Sequence, residues 1–257
     1  FFKSIRPLLV PSIAGIVLCY LISGGLTLAM STLMIDREDI RIGFVLVALV
    51  PPAVAVIPFT SILDGNTSFT LAGTAAAYIA ALLIMPVALL MLLGADFQAA
   101  PKLTLILVLL IALPLVFSRI LLRTGIHGRI APYQGAVVNW GFFIILYILI
   151  GVNRDTIFSE PLMLIPVTVI LFLTTFVLGS VIEWIGRRFK VSEKNLVSLV
   201  LLGTMKNQAI AGGLGITLFS REAALSAVVS SIFLIFFFIR LDVRRNMRRL
   251  GRKRSKR

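Results

Sequence analysis

Long apolar runs separated by short polar turns occupy nearly the whole chain. Runs long enough to cross a hydrocarbon layer of ~30 Å lie at about 8–34, 42–63, 69–93, 103–122, 135–152, 162–185, 196–219 and 223–241. They predict eight membrane-spanning helices. The connections, such as DREDIR, DGNTS and VNRDTIFSEP, leave no room for a soluble domain. The pattern therefore describes an all-α polytopic membrane protein whose function is confined to the embedded bundle.

Two runs interrupt themselves. In the second, Pro51 and Pro52 stand side by side at the midpoint, where they remove two backbone donors and force the helix to break at a depth without water. In the seventh, Gly203, Gly212, Gly213 and Gly215 surround the polar cluster TMKNQ, 204–208. Each interrupted run is the middle member of a set of three, runs one to three and runs six to eight, and the two sets have opposite topology. This predicts an inverted-repeat transporter with two broken, crossing helices and a site near the midplane, where half-helix N-termini face anions and freed carbonyls face cations.

Charge fixes the expected orientation. If the C-terminal tail is cytoplasmic, an even number of spans places 19 of the 25 Lys and Arg residues on the cytoplasmic side, five on the other, and Lys206 alone within a span. Ten of the basic residues lie between 240 and 257 and predict a cytoplasmic anchor in contact with anionic lipids. The net charge of +14 would suggest nucleic acid in a soluble protein. No aromatic residue is interleaved with the basic tail, so nucleic-acid binding is not expected. Hydrophobic residues make up 59% of the chain, mean hydropathy is +1.04, and the single cysteine, Cys19, excludes an internal disulfide or a cysteine metal cluster. Cys19 is expected to act as a small buried apolar side chain.

Lys206 is the candidate that carries chemistry. It lies ten residues after Leu196, hence roughly 15 Å into the span, too deep for easy escape to an interface. A lysine there costs about 2.5–3.5 kcal/mol to insert, so an interior-facing functional cation is expected. No acid stands at similar depth. Glu183 is expected to pair with Arg187 at an interface, Asp64 to occupy a turn, Asn139 to bond between helices and His127 to be solvated.

In these segments the chain resembles the bile acid:sodium symporter superfamily. The fourth-helix break of that family is similar to PPAVAVI, 51–57, continuing to Gly65 and Asn66, and its ninth-helix motif is similar to LGTMKNQAIA, 202–211. The resemblance implies that the eight runs are helices three to ten of a ten-helix fold, with a preceding segment absent from a chain that opens on Phe1. Residues 1–95 would then be the three-helix remainder of the first inverted repeat, 96–245 the second repeat of five helices, and 246–257 a polybasic tail. Sodium-coupled members place ligands where this chain has Val56, Ile57, Leu202 and Lys206. A hard cation needs several oxygens. These positions supply none, although Thr70 and Thr74 fall where the family's fifth helix carries hydroxyl ligands.

The expected function is alternating-access transport of small organic anions, sodium-independent or proton-linked, in a plasma (inner) membrane of prokaryotic type. Its substrate and coupling site is expected at Lys206, Asn207, Gln208, Thr204, Pro51, Pro52, Thr70 and Thr74, without cofactor or bound metal. Lys206 would either replace a bound sodium ion or carry a coupled proton. A sodium symporter with a rebuilt site that uses Thr70 and Thr74, and a receptor or scaffold without turnover, are the alternatives. An enzyme is not expected, because no nucleophile with a base or pair of carboxylates lies at depth.

Overall fold

The computed structural model describes residues 2–93 and 131–254, together with scattered positions between 102 and 125. Most of the fourth predicted run, the boundary placed between 95 and 96, His127 and the side chain of Asn139 lie outside the described residues. Among the described residues every regular element is a helix.

The first run is one long helix, in which α1 (Phe2–Ile16) passes through a π segment (Val17–Gly24) into α2 (Gly25–Met34). The second is split into α3 (Glu38–Leu49) and α4 (Val56–Ile62), and α5 (Thr67–Leu93) follows. After α6 (Gln134–Val152) and the short α7 (Arg154–Ser159), the sixth run repeats the design of the first: α8 (Leu164–Phe172), a π segment (Leu173–Val177) and α9 (Leu178–Arg188). The seventh is split into α10 (Glu193–Thr204) and α11 (Gln208–Leu218), and α12 (Leu225–Arg254) closes the chain. That last helix outruns its predicted span, since residues 242–250 hold neither Gly nor Pro to stop it. Among the described residues four helices are apolar and long enough to cross a membrane: Leu8–Met34, Thr67–Leu93, Pro161–Arg188 and Glu222–Met247.

The half-helix α3 is buried on every side from Gly43 to Leu49, which is why its sequence is apolar all round. Phe44 packs with Val167, Ile170 and Leu225, while Leu46 and Val50 pack with Met85, Leu89 and Leu214. On the outside, Leu21, Leu33, Leu83 and Met91 remain 71–80% exposed, a surface suited to lipid tails. Close backbone approach joins α1 to α5, where a Cβ on Gly15 would stand 2.4 Å from the Gly73 carbonyl oxygen.

Charged groups collect at the two ends. At one end Arg37 donates to Glu160 at 2.8 Å and to Asp39 at 2.7 Å. At the other, Glu183 accepts from Arg187, as expected, and also from Arg244 at 2.6 Å, while Asp64, in a turn with φ of 45°, pairs with Arg245. Partial burial acts to raise the Asp39 pKa, but the Arg37 hydrogen bond, the Ile40 amide and the Arg37 charge outweigh it and hold the carboxyl below its ordinary value.

Gly15→Val is expected to destabilise the fold by about 1–3 kcal/mol, because the added atoms meet backbone rather than a movable side chain; unfolding in mixed detergent micelles measures it. The depressed Asp39 pKa contributes stability above the unfolded-state carboxylate pKa that disappears as pH falls through the lower, folded value. Asp39→Asn should therefore lower stability at neutral pH and leave it unchanged below that window, as read by unfolding curves across pH.

Candidate functional site

Both breaks have local causes, and they meet. Helix α3 ends because Pro51 and Pro52 lack N–H groups; Val50, extended as pre-proline residues prefer, gives the last bond, to the Leu46 carbonyl at 3.0 Å. The Ala48 carbonyl, whose helical partner would be the Pro52 N–H, is left open. In the seventh run α10 stops at Thr204, and α11 restarts under Asn207, whose side-chain oxygen caps the Ile210 amide at 3.2 Å. Pro52 lies opposite Lys206 in an antiparallel bridge. The Ala53 amide donates to the Met205 carbonyl and the Asn207 amide to the Pro51 carbonyl, each at 2.9 Å. Each break supplies the partners that the other lost.

Lys206 is 3% exposed. Its ammonium donates to the carbonyl oxygens of Cys19 at 2.6 Å, Ala48 at 2.7 Å and Val50 at 3.3 Å, with the Cys19 Sγ at 3.2 Å. The Tyr20 ring adds a cation–π contact with its centroid 5.2 Å from Nζ. Three N–H donors thus face three carbonyls, and no carboxylate is among the partners. Compensation comes from dipoles: Ala48 lies in the last turn of α3 and Val50 caps it, and Lys206 lies two residues beyond the C-terminus of α10, so two partial negative ends converge on one cation.

The other predicted site residues divide. Asn207 joins the crossing, and its Nδ2 donates to the Tyr78 hydroxyl at 2.7 Å. Thr204 bonds back to the Val200 carbonyl within its own helix at 2.7 Å. Gln208 is buried with its Oε1 unpartnered. Thr70 lies away from the lysine contacts, sharing a hydrogen bond with Thr60 at 2.9 Å and donating to the Asn66 carbonyl at 3.3 Å, and the buried Thr74 hydroxyl has no partner. Beside Asn207 opens a cavity of about 420 Å³, lined in part by Val54, Tyr78, Ile210, Leu214 and Thr217. Among the described residues its lining holds no charged side chain, and Lys206 is not part of it.

Several participants went unread in the sequence. Cys19 is buried as expected, yet it is more than an apolar filler: its carbonyl and its sulfur both face Lys206. A carbonyl acceptor carries no residue signature, and neither does a π turn. Tyr78 offered the weak signal of a phenol amid an apolar run. Asn66, noted only as a corner residue, ties two half-sites together: its amide donates to the Lys194 carbonyl at 3.0 Å and its side chain to Asn195 at 2.8 Å, while its own carbonyl accepts from Ser198 at 2.9 Å.

Lys206→Met removes the ammonium donor from three buried carbonyls, and an orphaned acceptor costs about 1–3 kcal/mol. Unfolding in mixed micelles is expected to show a net loss of about 2–3 kcal/mol after the charge's own burial cost is relieved. Unchanged or increased stability would show that the ammonium does not hold the crossing.

No curated protein matches the chain. The model of the SBF-like CPA transporter family, related to the bile acid:sodium symporters, matches residues 8–243. A membrane protein whose match to that model covers nearly its whole length, this chain belongs to the SBF-like CPA transporter family.

Proposed function

We propose that the protein moves small organic anions across a plasma (inner) membrane by alternating access, with the Lys206 ammonium standing where a coupling cation would otherwise bind. The observation that carries this reading is the cradle itself: three main-chain carbonyls, two from a helix broken by Pro51 and Pro52, around one desolvated cation. Carbonyl rings of this kind replace the hydration shell of an alkali ion. A covalently attached ammonium fills the place permanently, so transport needs no sodium.

The same reading takes the chain as two inverted repeats, divided near 95, with eight spans equivalent to helices three to ten of ten and with a cytoplasmic C-terminus on which the basic tail meets anionic lipid. The π segments support it, since each occurs in the first member of its three-helix set, as each break occurs in the second. The substrate is assigned to the cavity beside Asn207 and Tyr78. There the N-terminus of α11 presents its positive end, and the neutral amide and phenol supply hydrogen bonds. Lys206 acts on the substrate only through the crossing it holds.

Proton coupling uses the same contacts. An amine has two N–H groups against three acceptors, so loss of the proton from Lys206 orphans a carbonyl and favours rearrangement of the breaks. The sodium-coupled alternative is favoured by one observation, the unpartnered Thr74 hydroxyl. Thr60 and Thr70 bond to each other, and a few hydroxyls fall short of the six or more oxygens that a hard cation gathers.

The test is flux of a panel of organic anions into proteoliposomes, with sodium and proton gradients imposed separately. Wild-type flux is expected without a sodium gradient, and Lys206→Gln should lose at least about 10-fold in flux, as a truncated buried charge contact does. Strict sodium dependence would overturn the substitution. Specific binding of an anion without any flux would instead establish a receptor.

A further inference from the structure

The two shortest contacts of the Lys206 ammonium, to the Cys19 and Ala48 carbonyls, come from different helices, and one residue stands behind both. A Cβ placed on Gly24 would lie 2.8 Å from the Ala48 oxygen and 3.3 Å from the Cys19 oxygen. Gly24 has ordinary helical dihedrals, φ −62° and ψ −50°, so its backbone needs no glycine. The requirement is spatial. Gly24 ends the π segment that begins at Val17 and carries Cys19, and π turns of this kind recur at functional sites. Its neighbour Gly25 has equally ordinary helical dihedrals, and a Cβ placed there would meet nothing within 4 Å.

We infer that Gly24 is the positioning residue of the Lys206 cradle: by carrying no side chain it lets the Ala48 carbonyl approach the π segment and converge with the Cys19 carbonyl on one ammonium. Any larger residue pushes the Ala48 oxygen, a main-chain atom fixed at the end of α3, away from Nζ. Gly24 acts through these carbonyls and is not part of the cavity lining. The inference deepens the reading of Lys206 as a fixed cation, but it is tested by folding rather than by flux, so that either can fail without the other.

The experiment is a double-mutant cycle on the purified protein, read as the folded-to-unfolded ratio in mixed detergent micelles. Gly24→Ala is expected to lower that ratio about 10- to 100-fold, the usual cost of a buried acceptor that loses its charged donor. In a Lys206→Met background the same change should cost less than about 3-fold, because the acceptor that it displaces no longer has a donor to lose. Gly25→Ala should leave the ratio unchanged or raise it by up to about 5-fold, as alanine does in an open helical position. Equal losses from Gly24→Ala in both backgrounds would overturn the inference and make Gly24 a packing residue. Should Gly24→Ala alone fail to fold, recovery of folded protein in the Gly24→Ala/Lys206→Met double variant supports it, and failure of both overturns it.

Discussion

A polypeptide backbone that leaves its helix inside hydrocarbon must find new hydrogen-bond partners for each group it frees, because no water is present to take them. The architecture around the crossing follows from this constraint. Two prolines open α3, a polar cluster opens the seventh run, and the openings are placed so that each repairs the other through a pair of main-chain bonds and one ammonium. The lysine serves here as a three-pronged donor as much as a charge. Its cost of burial is offset by the Ala48 carbonyl that Pro52 releases and by the carbonyls of Val50 and Cys19.

On the proposed reading, fixing the cation in this way separates two tasks that an ion-coupled site performs together. The charge that holds the crossing is turned toward α3 and the π segment that follows α1, while the cavity opens on the side of Tyr78 and Asn207, with neutral lining. Asn207 belongs to both, capping α11, donating its main-chain amide to Pro51 across the crossing and bonding the phenol. Val54, which lies in the break between α3 and α4, lines the same cavity, so each break borders it with one residue.

Much of this was legible in the residues. Helical runs were visible because lipid demands apolar surface over a fixed length, and the first break because proline cannot donate; the second was marked by its polar cluster, whereas Gly203, Gly212, Gly213 and Gly215 all lie inside α10 and α11. Lys206 was conspicuous because a charge at such depth is costly. Thr70 and Thr204 were chosen for their hydroxyls and proved to spend them locally, Thr204 on its own helix and Thr70 on Thr60 and Asn66. Cys19 was passed over because its contribution is largely a main-chain oxygen, and Gly24 because its contribution is the absence of a side chain.

By itself the sequence determined which segments are apolar and helical, where two of them break and which side chain cannot be left without partners. Those properties are local: they depend on transfer cost, on the missing N–H of proline and on spacing along one helix. Only the tertiary structure decided what satisfies the breaks, because backbone carbonyls are chemically identical at every position and acquire a role through where three distant helices bring them. The choice of Cys19, Ala48 and Val50 as the acceptors of Lys206 is a fact of convergence in space, and no residue code records it.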